Sequence, residues 1–326
     1  MNIILPSSIH EGTISSVIQQ INDADGCETD IIVNLSNLSF TFPIGTLVLA
    51  QYLRYNRESK GRSIKFISSN IYSSVINYLT SVGFFKYFGE NPFCANDLNK
   101  SKTYIPFSII EWSDLQSRVN DERLNGHNCK IQDVICEYSD NYSDWMFGKI
   151  EPVISYCFRE IIRNVFEHTN CLYCSIFGQI YPTRDEIEIC IADSGSGIRN
   201  TLSKVYPECV DDEWALTHAI LPGITSGAVK IGSEYDNSGF GLYVLSQIAQ
   251  KFGYMWIGSG EKFLKIDSKG VHLFDGFYPG TFVGINFKYQ TLLRHQEWIM
   301  QIINEGESLS RKLGINGAAS TSTKSI

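Results

Sequence analysis

The sequence predicts an α/β protein built from two units. In the first 90 residues, short apolar runs alternate with helical patterns, which indicates alternating strands and helices. After residue 140, an amphipathic helix is followed by two glycine-containing motifs, each at the junction between a strand or loop and the next element. A chain of 326 residues is long enough for two domains of ordinary size, and 43% hydrophobic residues suffice to build their cores.

The first unit is predicted over residues 1–90. Residues 30–35 form an apolar run typical of a buried strand, and a helical pattern follows a turn at 42–45 and ends near residues 60–61. A second strand is expected at 64–67 and a second helix at 75–82. This β-α-β-α order predicts a parallel pair of strands with a right-handed crossover.

A polar connector is predicted over residues 91–139, with one strand at 105–110. A helix follows over 156–168, and on it Glu160, Asn164 and His168 are spaced four residues apart, so they lie on one face. A carboxylate, a carboxamide and an imidazole in a row on an otherwise buried helix are unusual. A half-exposed helix with a polar stripe would also explain them, and the two glycine motifs downstream favour a functional site instead. For His168, a role supporting the site and a simple position at the helix end both remain open.

The first glycine motif follows a predicted half-buried strand at 186–192. Asp193 comes directly after this strand and is followed by Gly195 and Gly197. A carboxylate at a strand end can accept a hydrogen bond from an exocyclic amino group of a ligand. The two glycines allow the backbone to approach a flat ligand closely, because they have no Cβ.

The second glycine motif opens a helix. Gly239 and Gly241 precede apolar residues at helical spacing through residue 252. A helix N-terminus offers unpaired N–H groups and a positive dipole end, which suit a phosphate. Further on, Thr281 is predicted at the start of a strand over 281–285.

The order Glu-x-x-x-Asn, Asp-x-Gly-x-Gly, Gly-x-Gly-Leu and Gly-Thr resembles the ATP-binding domain shared by DNA gyrase B, Hsp90, histidine kinases and MutL. This GHKL family resemblance covers residues 140–290 and implies a Bergerat-type α/β sandwich, a mixed sheet covered by helices. It implies ATP and Mg²⁺ as cofactors, with Asn164 as the metal ligand. An amide oxygen suits Mg²⁺, which binds few protein ligands and keeps several waters.

The same resemblance assigns the remaining positions. It implies that Asp193 binds the adenine amino group beside Gly195 and Gly197, and that Thr281 lies near the adenine. Gly239 and Gly241 would hold the phosphates. Glu160 would be the catalytic general base, acting on a water or on a protein hydroxyl group.

Residues 1–90 are similar to STAS domains, the fold of anti-sigma-factor antagonists. The similarity rests on residues 34–35, on the turn ending in Gly45, and on residues 82–84. Phosphorylated antagonists carry Asp-Ser-Ser-Gly where this chain has Phe-Pro-Ile-Gly at 42–45, so no acceptor hydroxyl is available there. The resemblance therefore implies a module that docks a protein partner or a second copy of the chain.

The rest of the chain sets limits on the function. A lid is expected over 198–238, where the role of Lys204 and Lys230 stays open, and a C-terminal helix with a disordered tail over 291–326, the Ser/Gly/Thr-rich tail beginning near Glu305. A net charge of −8 argues against nucleic acid as a partner, and no apolar run is long enough for a membrane span. Nine cysteines without framework spacing favour reduced thiols in a cytoplasmic protein, and Cys171 and Cys174 are expected in the core.

Together these features predict a Mg-ATP-binding ATPase of the GHKL type that acts as a nucleotide-driven regulatory switch with a protein partner. One alternative is a serine/threonine kinase of the anti-sigma type that phosphorylates a separate STAS-domain partner. The other is an ATP sensor without catalytic activity.

Overall fold

The computed structural model describes residues 1–23, 30–89, 93, 103–149, 151–168, 171–226, 238–294, 297–315 and 319. About 49% of the described residues are helical and 27% are in strands, so the predicted α/β class is confirmed. None of the helices in these ranges is both long and apolar enough to cross a membrane.

The N-terminal elements form a small parallel sheet with helices. Strands β1, β3 and β5 pair in parallel in the order β1-β3-β5, and β2 pairs with β4. In chain order the elements are β1 (Asn2–Ile4), β2 (Ser8–Ile9), α1 (Glu11–Asp23), β3 (Asp30–Asn34), β4 (Phe40–Thr41), α2 (Pro43–Lys60), β5 (Ser63–Ile67) and α3 (Ser74–Ser81).

The predicted β-α-β-α order is confirmed by β3, α2, β5 and α3, and the two strands are parallel as expected. The predicted turn at residues 42–45 is wrong, because Pro43 already occupies the first turn of α2. Proline fits there, since the first N–H groups of a helix have no intrahelical partner. Gly61, with φ of 66°, ends the helix in the left-handed conformation.

The second part of the chain builds a five-stranded sheet in the order β6-β7-β8-β10-β9. Its elements are β6 (Tyr104–Glu111), α4 (Trp112–Leu124), α5 (Ile131–Phe147), α6 (Pro152–His168), β7 (Tyr173–Tyr181), β8 (Glu186–Asp193), α7 (Gly197–Leu202), α8 (Asp212–Ala219), α9 (Gly241–Phe252), β9 (Gly253–Asp267), β10 (Gly270–Lys288), α10 (Tyr289–Arg294) and α11 (Glu297–Lys312). All neighbouring strands of this sheet pair antiparallel, so the expected mixed sheet is wrong.

Both faces of the large sheet are covered. On β8, Ile187, Ile189 and Ile191 pack into a core shared with α5, α6 and α9, whereas Cys190 and Ala192 pack into a core shared with α1 and α2. The strand was predicted to be half-buried, and it is buried on both faces because the N-terminal elements lie on the back of the sheet. The predicted boundary near residue 90 thus separates two stretches of chain that share one core.

The N-terminus of α2 is fitted closely to the back of the sheet. The Ile44 N–H donates a hydrogen bond to the buried carboxylate of Glu188 on β8, at 2.8 Å. A Cβ on Gly284 of β10 would lie 2.5 Å from the Ile44 side chain, so glycine is needed for this approach. The first three turns of α2 are buried on all sides, as expected for a helix in contact with both sheets.

Two predictions on irregular segments are corrected. The expected lid over 198–238 contains the helices α7 and α8, and residues 227–237, including Lys230, lie outside the described residues. The tail was expected to be disordered from Glu305, but α11 continues to Lys312. Helix α11 packs on α9, where Gly306 leaves room for the ring of Tyr243.

Thr281 does not begin a strand as predicted. It lies inside the 19-residue strand β10, directly after an irregularity between Tyr278 and Thr281 in its pairing with β9. At this point Gly280 crosses close to β8, since a Cβ there would lie 2.2 Å from the carbonyl oxygen of Asp193. The irregularity therefore brings Thr281 beside the end of β8.

Candidate functional site

A cleft of about 740 Å³, partly open to solvent, lies between α6, α9, the segment after β8 and the middle of β10. Six of the residues predicted from separate motifs line it: Asn164, Asp193, Gly197, Gly239, Gly241 and Thr281.

Asp193 is the last residue of β8 and is almost completely buried. Its Oδ1 accepts a hydrogen bond from the N–H of Gly195 at 2.7 Å, which is the structural role of this glycine. Burial raises the pKa of Asp193 to about 7, against the lowering effect of main-chain hydrogen bonds from Gly195 and Thr281. A carboxylate in this position can accept a further hydrogen bond from a ligand.

The turn after Asp193 is held by a residue that the sequence did not point to. Ser259 on β9 is buried, and its Oγ accepts a hydrogen bond from the N–H of Ile198 at 2.9 Å. Gly197 has φ of 77°, and a Cβ there would lie 2.9 Å from the same Oγ. Because β9 reaches this turn only through its pairing with β10, no local pattern could have identified Ser259.

Two buried polar atoms at the cleft have no hydrogen-bond partner in the described part of the chain: Nδ2 of Asn164 and Oγ1 of Thr281. A buried polar group without a partner costs about 1–3 kcal/mol, so such groups call for a ligand or water. The two atoms belong to two different elements that line the cleft, α6 and β10. They are suited to a polar ligand bound there.

The N-terminus of α9 also lines the cleft, through Gly239, Gly241 and Leu242. The residue at the N-cap position, Phe240, makes no side-chain cap to this helix, and the first N–H groups of a helix are suited to an anionic ligand. Gly239 has φ of 70°, and a Cβ there would lie 2.6 Å from the carbonyl oxygen of Ile224. A Cβ on Gly241 would lie 2.5 Å from Oε2 of Glu160. At both positions, a residue with a Cβ would collide with the neighbouring group, so glycine is needed.

Glu160 is buried beside Gly241 and is not among the residues that line the cleft. Its Oε1 lies 3.4 Å from Nε of Arg159 and 3.4 Å from Nη1 of Arg163. Arg163 also pairs with Glu167 at 2.9 Å. The sequence pattern placed Glu160 on the correct helix face, but it did not predict that two guanidinium groups neutralise its charge.

The other residues singled out from the sequence are His168, two lysines and two cysteines. The side chain of His168 and all of Lys230 lie outside the described residues, and Lys204 is exposed. Cys174 is buried and Cys171 packs against the same core, both as free thiols, as predicted. Within the described residues, no group of three or more His, Cys, Asp or Glu side chains could hold a metal ion.

Of the described residues of α6 that line the cleft, only Asn164 has a side-chain oxygen that could bind Mg²⁺. This fits Mg²⁺ only if a phosphate-bearing ligand and waters supply the other oxygens, as is common for this ion. Comparisons of the chain with known protein families, with curated proteins and with solved structures found no significant match.

Proposed function

We propose that this protein binds Mg-ATP in the cleft between α6 and α9, in the manner of GHKL ATPases, and acts as a nucleotide-driven switch for a protein partner. One observation carries the proposal. Residues chosen from four separate motifs between positions 164 and 281 line a single cleft, and they include a buried carboxylate and the N-terminus of a helix.

In the proposed complex, the adenine amino group donates to Asp193, whose carboxylate is held by Gly195. The base lies over the turn at Gly197, where no Cβ intrudes. The phosphates lie at the N-terminus of α9, where N–H groups and the helix dipole favour negative charge. Asn164 contributes one oxygen to the magnesium ion.

ATP hydrolysis requires a group that positions and deprotonates water, and Glu160 is the residue we propose for it. Its carboxylate is one helical turn from Asn164 and touches the first residue of α9. To act as a base it would have to exchange its pairing with Arg159 and Arg163 for a water molecule.

A non-catalytic ATP sensor is the second candidate. The observation that favours it is the pairing of Glu160 with both arginines, together with its position outside the lining of the cleft. A carboxylate in contact with two guanidinium groups is occupied by them and not by a water molecule.

Incubation with γ-labelled Mg-ATP, with separate analysis of free phosphate and labelled protein, tests the proposal. We expect nucleotide binding and slow release of phosphate. Glu160→Ala should keep binding and reduce release by at least about a hundredfold, the usual range for a general base. The exposed control Glu208→Ala should leave both unchanged.

Other results decide between the alternatives. Binding without turnover supports the sensor, and label in an added STAS-domain protein supports the anti-sigma type of kinase. Phosphate release at the parent rate in Glu160→Ala would remove the catalytic role of Glu160. No binding of Mg-ATP would contradict the proposal as a whole.

A further inference from the structure

A second cavity lies where the N-terminal elements meet the large sheet. It has a volume of about 590 Å³, partly open to solvent, and shares no lining residue with the cleft described above. Its walls come from the segment at β4, from the first turns of α3 and from the end of β7. The residues that carry the argument are Ser39, Phe40, Ser74, Tyr78, Gln179 and Tyr181.

The hydroxyl group of Tyr181 is buried and has no hydrogen-bond partner in the described part of the chain. The ring is held in place, since the guanidinium group of Arg184 lies 4.7 Å from its centroid and the ring of Phe42 lies 6.2 Å from it. Asn164 and Thr281 carry equivalent unpartnered atoms at the first cleft. An unpartnered buried hydroxyl in a cavity wall indicates a polar ligand.

The rest of the wall is polar but uncharged. The hydroxyl of Tyr78 donates to Oε1 of Gln179 at 3.2 Å, and Nε2 of Gln179 donates to the carbonyl oxygen of Ile180 at 2.8 Å, so this wall has a fixed geometry. The exposed residues Ser39 and Ser74 place hydroxyl groups at the rim.

The charge of the surroundings selects the class of ligand. Among the described residues that line this cavity, none is charged. Arg184, whose guanidinium group lies over the ring of Tyr181, is already paired with Glu186. A charged ligand would therefore lose hydration without gaining a free counter-ion.

We propose that this cavity is a second ligand site, for a neutral ring-shaped molecule with several hydroxyl groups, about the size of a monosaccharide. The hydroxyls of such a ligand would pair with Tyr181, Ser39 and Ser74. The ring of Phe40, 47% exposed, offers an apolar surface to the C–H face of the ligand. The inference does not depend on the nucleotide proposal.

A bound ligand would touch both the N-terminal elements and β7, and would hold the two together. Ligands that bind only the folded chain raise its thermal midpoint, and the increase grows with the ratio of ligand concentration to dissociation constant. Binding can therefore be followed both by titration and by unfolding.

The test is an NMR titration of the full chain with D-glucose, D-galactose and myo-inositol up to 50 mM, and with D-glucose 6-phosphate as the anionic comparison. We expect saturable binding of at least one neutral probe. Tyr181→Phe should weaken it about three- to tenfold, the usual contribution of one hydrogen bond. The same change should not lower the thermal midpoint of the free protein, because the lost hydroxyl has no partner there.

The matched control is Tyr72→Phe, whose ring is 83% exposed and outside the cavity, and which should change neither quantity. Several outcomes would overturn the proposal: no saturable binding of any neutral probe, equal affinity in Tyr181→Phe, or tighter binding of D-glucose 6-phosphate than of D-glucose. Displacement of the probe by Mg-ATP would also contradict it, because the probe would then occupy the other cleft.

Discussion

Asp193, at the end of β8, has a buried carboxylate that accepts hydrogen bonds from the main-chain N–H groups of Gly195 and Thr281. In the free protein burial holds its pKa at about 7, so half of the molecules carry a protonated Asp193 near neutral pH. A ligand amino group that donates to this carboxylate stabilises the ionised form and lowers its pKa. Ligand affinity and pH are therefore linked at this one residue.

We predict that the affinity for Mg-ATP rises as the pH increases from 6 to 8. Below the pKa of the free carboxyl, the gain is up to about tenfold per pH unit, and it levels off above pH 7. Calorimetric titration at several pH values measures it. Asp193→Asn removes the titrating group, so the variant should bind weakly and retain only the pH dependence of the nucleotide itself. An affinity of the wild type that falls with pH would contradict the prediction.

At the scale of single residues, the sequence could identify those whose role follows from residue type and local spacing. Asn164 and Asp193 were identified from residue type and spacing, and both line the cleft. The pairing of Glu160 with Arg159 was not predicted, because adjacent residues of a helix do not normally face each other. Ser259 was missed because its contact with Ile198 spans 61 residues of sequence.

Helix α2 is the element that joins the two parts of the chain. At its N-terminus, the N–H of Ile44 donates a hydrogen bond to Glu188. On its buried face, Oε1 of Gln51 accepts a hydrogen bond from Ser175 of β7 at 2.9 Å. The helix itself was predictable from its apolar pattern and from Gly61. Its partner surface was not, since Ile44 and Glu188 are 144 residues apart.

We predict that Gly284→Ala destabilises the fold by about 1–3 kcal/mol, because the new methyl group would lie 2.5 Å from Ile44 in a packed core. Gly178→Ala is the matched control. It also lies in a strand of the same sheet, but its closest neighbour is at 3.3 Å, so the loss should be smaller. Urea unfolding of both variants measures the difference. Equal losses would show that Ile44 does not pack on β10 as described.

Glu188 makes the junction sensitive to pH. Burial raises its pKa from 4.5 to about 8, with a smaller lowering by the Ile44 N–H. Below about pH 4.5 Glu188 is protonated in both the folded and the unfolded chain, so its contribution to the free energy of unfolding is fully present. As the pH rises, Glu188 ionises first in the unfolded chain, and this contribution decreases. It is lost completely above pH 8.

We therefore predict that the free energy of unfolding falls by about 1 kcal/mol between pH 7 and pH 9 in the wild type, and that Glu188→Gln removes this part of the loss. This window lies above the pKa of Asp193, whose own contribution has the same sign but is largely lost by pH 7. Urea unfolding at the two pH values is the measurement. The same slope in Glu188→Gln would contradict the role of Glu188.

The molecule as a whole is held together by the core on the back of the large sheet. This core combines residues of α1, α2 and β3 with Phe177, Trp256 and Phe282 of the sheet. Periodicity could predict the strands and helices on each side. It could not predict that the two sets pack on each other. A strand that is buried on both faces looks apolar on both, and its sequence does not show whether the covering layer comes from the same unit or from another.

We predict that residues 1–90 and the rest of the chain unfold together. Separate unfolding would expose the apolar back of the sheet, including Trp256, which is buried in the shared core. Urea unfolding followed by far-UV circular dichroism and by tryptophan fluorescence should therefore give coincident curves. Two resolved transitions would show that the N-terminal elements unfold independently.

The central claim is that the cleft between α6 and α9 binds an adenine nucleotide through Asp193. Its most direct test is a calorimetric titration of Mg-ATP and Mg-GTP into the wild type and Asp193→Asn at pH 8, where the carboxylate is ionised. We predict saturable binding of Mg-ATP by the wild type, much weaker binding of Mg-GTP, and a loss of about tenfold or more for Mg-ATP in Asp193→Asn, as for a charge-assisted hydrogen bond. Equal binding of Mg-ATP by both proteins, or no binding by the wild type, would contradict the claim.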